Sequence, residues 1–152
     1  MTPSPLDRLA AYDGLAWIAG HPVAYPVLET LHLLGIALLL GSLVVFELRV
    51  WGLGRELPPP ALARLALGLS VAGFLLAAAS GLTMFATQPG ELLANRAFVW
   101  KMGLLMLAGT NAAMFHARGG VRRVDGIARA QTALSLALWL AVLACGRWIA
   151  YV

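Results

Sequence analysis

The stretch Tyr25–Gly54, YPVLETLHLLGIALLLGSLVVFELRVWGLG, decides the fold. It can cross a bilayer as one helix, since about 20 apolar residues at roughly 1.5 Å each cover about 30 Å of hydrocarbon. Near one end it carries Glu29 and His32. An ionisable side chain inside a membrane span is costly, so each is a functional-site candidate by default.

Three further apolar runs follow, giving spans at about 25–51, 61–86, 95–117 and 125–151. The composition agrees: of 152 residues, 61% are hydrophobic and 12% charged, whereas soluble domains are nearer half apolar and a quarter charged. Lipid offers the backbone no hydrogen bonds, so only helices and closed barrels span it, and these runs lack barrel alternation. The expected fold is an all-α membrane protein, one domain built as a four-transmembrane-helix bundle.

Ahead of the first span, Ser4-Pro5-Leu6-Asp7 has the pattern of a helix start. The segment at about 4–18 is too short to span. With Leu6, Leu9, Ala10, Ala16 and Trp17 on one side, it reads as a short interfacial helix anchored by Trp17 and broken at Gly20-His21-Pro22. No basic region precedes an apolar core, so no cleavable signal peptide is expected. Pro58-Pro59-Pro60, Gln88-Pro89-Gly90 and the basic turn Arg118–Arg123 separate the spans. Gly68, Ser70, Gly73, Ser80 and Gly81 in the second span permit close helix contact, and Thr110 and Asn111 in the third supply interhelical hydrogen bonds. Glu47 and Arg49 close the first span at what reads as a solvated, headgroup-facing surface.

A net charge of +4 and a pI near 10.0 would suggest nucleic acid in a soluble protein. Here the basic residues flank spans, so topology and anionic headgroups account for them; the partner is the lipid bilayer, not nucleic acid. Seven Lys or Arg (Arg49, Arg55, Arg64, Arg118, Arg122, Arg123, Arg129) fall on one side and four (Arg8, Arg96, Lys101, Arg147) on the other. The positive-inside rule then makes both termini periplasmic in a multi-pass protein of the bacterial inner membrane. The single cysteine, Cys145, excludes an intrachain disulfide and a multi-cysteine metal site.

Counting residues from the outer ends puts His32 roughly 9 Å deep, Lys101 roughly 8 Å and Arg147 roughly 6 Å. They share one layer with Glu29, its only acid, which lies one turn before His32. Lys101 and Arg147 can snorkel to the headgroups and His32 can be a hydrogen-bonded packing residue. The positive excess instead suits an anionic ligand. Haem b fits, because its propionates favour Arg and Lys near the interface while its iron takes an imidazole deeper in. His32 is then the metal ligand, with Glu29 orienting it or relaying a proton. Such a protein performs electron transfer, with a quinone or periplasmic redox partner, or tetrapyrrole-linked redox chemistry; whether it is an enzyme or a homo-oligomer stays open. His116, about 22 Å deeper than Lys101, is too far to share an iron with His32. Glu29-x-x-His32 occurs once, so a di-metal centre is rejected. A copper site from His32, Met84, Met102 and His21, a small-anion transport or binding component, and a membrane anchor subunit of a periplasmic enzyme are the alternatives.

A histidine in the outer half of the first span, followed by Arg96-x-x-x-Trp100-Lys101 at the start of the third, resembles the HemJ-type protoporphyrinogen oxidase family, and more loosely the membrane domain of the CopD family. Tyr25-Pro26-x-x-Glu29-x-x-His32 and the ending Gly146-Arg147-Trp148-Ile149-Ala150-Tyr151 are closer to an uncharacterised bacterial family of four-span proteins of this length. The HemJ resemblance implies that His32 is an axial haem ligand and that Arg96, Trp100 and Lys101 surround the haem or a tetrapyrrole substrate. The chain departs from HemJ relatives at Leu38–Ser42, where Gly41 has no tryptophan before it.

Overall fold

Four helices, each apolar and long enough to cross a membrane, form the protein, and no strand occurs among the described residues. The structure, a computed structural model, describes residue 5, residues 11–122 and residues 124–152. The helix start expected at Ser4–Asp7, Arg8 and Arg123 of the basic turn lie outside the described residues.

The elements run α1 (Asp13–Gly20), α2 (Ala24–Trp51), α3 (Pro59–Thr87), α4 (Pro89–Ala94), α5 (Arg96–Ala117) and α6 (Gly126–Trp148), with a 3-10 turn over Ile149–Tyr151. Spans α2, α3, α5 and α6 match the expected ones to within a few residues. The short α4 was not expected; Gln88-Pro89-Gly90 ends α3 and at once starts a new turn. Of the helix expected at about 4–18, the described part is α1, which starts only at Asp13, after an extended Tyr12, and runs on to Gly20; it lies against α2 and α3 with Trp17 exposed.

Local chemistry sets the helix ends. His21 Nδ1 accepts from the Val23 and Ala24 amides, both at 3.2 Å, and so caps α2. At the other end Gly52 adopts φ +104°, and Leu53 N donates to Leu48 O while Gly52 N donates to Arg49 O. This is a Schellman stop, which needs a residue tolerant of the left-handed region. Asn95 caps α5 by accepting from the Ala97 and Phe98 amides; its own amide donates to Ile149 O and Val152 O, tying the start of α5 to the end of the chain. Asp125 caps α6 through the Ala128 amide and pairs with Arg118 at 3.2 Å. The Ala128 hydrogen bond, with the Arg118 charge adding to it, holds the Asp125 carboxyl below its ordinary pKa.

The chain folds as two hairpins, α2–α3 and α5–α6, joined mainly by α2 against α6. The first hairpin is close-packed. A Cβ on Gly35 would stand 2.6 Å from Ala77 N, and one on Gly73 would stand 2.5 Å from Leu39 N. Backbone therefore meets backbone there, as small residues allow in lipid. Ser42 and Ser70 hydrogen-bond across the same seam at 2.8 Å. Gly68, expected in this seam, faces open space instead.

The hydrophobic core sits at the end of the bundle that holds the α2–α3 and α5–α6 turns, termed the inner end, with the end that holds α4 termed the outer. Phe46, Val50, Ala63, Ala66, Phe115 and Ala128 are buried together, with Phe46 edge-on to Phe115. Trp51 Nε1 donates to Thr132 Oγ1 at 2.9 Å, locking α2 to α6. Asn111 donates to Gln131 O, the interhelical bond expected of it; Thr110 is exposed and bonds only within its own helix. In the outer half the stacked pair Phe85 and Phe98 joins α3 to α5, with ring centroids 5.6 Å apart.

Candidate functional site

His32 faces α3. On the helical face that carries Gly35 and Leu39, its imidazole reaches across the close seam, where Nδ1 lies 2.8 Å from Ala77 O and 3.3 Å from Ser80 Oγ. A carbonyl only accepts, so Nδ1 carries the proton. Ser80 donates its own hydrogen to Leu76 O at 2.7 Å, leaving its lone pairs to accept from the ring. Gly81 lies under the ring; a Cβ there would stand 2.9 Å from Cε1. The side chain is half-buried, and its other nitrogen, Nε2, is left with a free lone pair.

Lys101, on α5, comes within electrostatic reach of His32. It is partly buried on the inward face of α5, with Nζ 3.6 Å from where a Gly146 Cβ would be. Lys101 thus lies alongside α6 at Gly146, at ordinary contact distance. Lys101 forms no ion pair among the described residues.

The remaining members of the expected layer do not join this pair. Glu29 is exposed, and the orienting role expected of it is filled by Ala77 O. Arg96 and Trp100 are exposed and line a groove of about 340 Å³ with Cys145 and Trp148, on the outer flank of α5 and α6. Arg147 is exposed, donates to Tyr151 Oη and lies over its ring at 4.9 Å. His21 is occupied in capping α2 and stacks on Trp17. His116 is exposed at the inner end, edge-on to Phe115.

A correction falls on Glu47. Expected on a headgroup-facing surface, it is 1% exposed, and neither carboxylate oxygen has a hydrogen-bond partner. The reason is register. Gly35, Leu39, Phe46 and Val50 mark the buried face of α2, and Glu47 is adjacent to Phe46 on it. That helical spacing was the available signal, masked by the charged and aromatic residues, Arg49 and Trp51, that close the helix.

The arrangement can hold one ligand atom through His32 Nε2 and one negative charge through Lys101. It does not form a protein cage for a bare metal ion: no group of three His, Cys, Asp or Glu lies together among the described residues. Compared with protein-family models, curated proteins and solved structures, the chain finds no match.

Proposed function

We propose that this membrane protein binds haem b in the outer half of its bundle and serves electron transfer or tetrapyrrole-linked redox chemistry. The observation that carries the reading is the 2.8 Å contact between His32 Nδ1 and Ala77 O. Histidines that ligate metals characteristically donate the other ring N–H to a carbonyl or carboxylate, which fixes the tautomer and the ring plane. His32 has this second partner already, and its free Nε2 is the ligating atom.

The donor set suits a metalloporphyrin better than a bare ion. Structural zinc sites take about four protein ligands and catalytic ones about three. A haem would bring most of its iron's ligands with it and would need an imidazole from the protein, which His32 would provide. Lys101, unpaired and level with His32, is placed to meet a carboxylate of the same ligand. Arg96 and Arg147 lie further out, at headgroup depth, and would act at the rim. When bound, the haem supplies a one-electron couple; the chain supplies the axial nitrogen, the cation and an apolar surround. The Lys and Arg distribution supports an inner-membrane location with periplasmic termini, which would put the site within reach of a quinone or a periplasmic redox protein.

The test is a visible absorption spectrum of protein purified in mild detergent from haem-replete cells, oxidised and then dithionite-reduced. A Soret band with sharp reduced α and β bands is expected, and His32→Ala should abolish them. A colourless wild-type protein, or full colour in His32→Ala, would refute the assignment. Stoichiometric copper without iron would favour a copper component, and neither metal would leave a small anion for Lys101.

A further inference from the structure

We propose that Glu47 is a proton-binding site in the inner half of the bundle: the packed protein holds it as the neutral acid, and its proton exchanges with the inner aqueous face when α6 draws back from α2. This site is separate from His32, and it stands or falls without haem.

Glu47 is the most completely buried large side chain among the described residues, and both its oxygens lack partners. Among the described residues, the charged and titratable groups at this end of the bundle leave it alone; Glu56 and Arg122 are exposed. On its own helix, Arg49 donates to Leu57 O and Arg55 O. Arg55, in the following turn, donates to Gly52 O. Arg64 on α3, His116 on α5 and Arg129 on α6 are exposed. Arg118 is bound to Gln131 and Asp125. The one ion pair among the described residues is Arg118 with Asp125. A carboxylate without a counter-charge is not held ionised in so apolar a place; it takes up a positive charge instead.

That charge is a proton rather than a metal ion. Hard cations take about six or more oxygen ligands. Glu47 offers two, and Ser135 on α6 faces it without closing a hydrogen bond. The next hydroxyl, Thr132, already accepts from Trp51 and donates to Ala128 O. Among the described residues no group of three His, Cys, Asp or Glu forms a cage for a cation, whereas a proton needs no donor beyond the carboxyl itself.

A route to water lies along α6. Ser135 and Gln131 are one turn apart on the same side of the helix, and Arg118 binds both Gln131 and the capping Asp125 at the exposed inner end. Opening the contact between α2 and α6 would place Glu47 on this polar stripe. The Trp51–Thr132 hydrogen bond holds that contact shut.

The experiment is infrared spectroscopy of the protein in lipid bilayers, with and without haem, using glutamate carrying carbon-13 at the side-chain carboxyl. The chain has four glutamates, and Glu29, Glu56 and Glu91 are exposed. At neutral pH one isotope-sensitive acid carbonyl band is expected, slow to shift on transfer to heavy water and absent in Glu47→Gln. The wild-type band and its slow exchange decide the matter even where that variant fails to assemble. No protonated-glutamate band at neutral pH, a band that exchanges at once, or a band that persists in Glu47→Gln would overturn the proposal.

Discussion

The outer and inner halves of this bundle handle polar side chains in opposite ways. In the outer half His32 is half satisfied: one nitrogen is fixed by Ala77 O at 2.8 Å and the other is open. Nearby cations are kept at the rim or, for Lys101, laid against α6 at Gly146. In the inner half Trp51, Thr132, Asn111 and Gln131 are closed into interhelical bonds around an aromatic core, and one carboxyl is sealed in without a closed hydrogen bond. An orientated group with a free lone pair is ready for a ligand. A sealed group with no partner is ready only for something as small as a proton.

The largest test of this contrast is at Gly81. A valine there would drive carbon into the imidazole, where even a Cβ would lie 2.9 Å from Cε1. Gly81→Val should swing His32 off Ala77 O and cut haem retention at least tenfold, about 1.4 kcal/mol, while circular dichroism keeps its helical signal. Haem titration of the purified variant measures it; unchanged retention would mean that the ring's seat does not matter.

The inner half should respond through stability rather than ligand binding. Thr132→Val removes the acceptor of the Trp51 indole at nearly constant shape, and should cost about 1 kcal/mol, the scale of interhelical hydrogen bonds in membranes. Unfolding followed by Trp fluorescence reads this out, with haem content expected to be unchanged. A loss of haem in this variant would erase the distinction between the halves.

The smallest effect lies at the inner surface. Asp125 has its carboxyl below the ordinary range because the Ala128 amide, and secondarily Arg118, favour the charged form. Its folded value being the lower one, its contribution is present above the unfolded carboxylate range and lost as pH falls through the folded value. Wild type should therefore lose a small increment of thermal stability at acid pH that Asp125→Asn does not lose. Asn95, the equivalent cap of α5, carries no such pH dependence because an amide does not titrate.

Much of the architecture was legible before any coordinates, because apolar length alone requires membrane helices. The four spans and His32 as the polar residue of interest came from that reading. What escaped it was facing. Glu29 and His32 are one turn apart, yet Glu29 is exposed and His32 turns towards α3. Arg96, Trp100 and Arg147 lie at the same end of the bundle as His32 but are exposed and point elsewhere. Depth follows from residue number, whereas facing depends on which helix packs closest. That was set here by Gly35, a residue with no polar signal that the close seam nevertheless requires. Glu47 was misplaced for the same reason.

The close seam between α2 and α3 also bears on how the protein is made. Chains emerge amino-terminal end first, so the Gly35–Gly73 hairpin can pair in the bilayer while α5 and α6 are still being synthesised. During that interval Glu47 has no Ser135 beside it and no Thr132 to hold Trp51. A lone acid within a span is tolerated at a cost of about 2.5–3.5 kcal/mol when inserted, and the headgroup region near the end of α2 is within its reach. On the proposal above, the docking of α6 is therefore the event that draws this carboxyl out of contact with water and loads it with one proton.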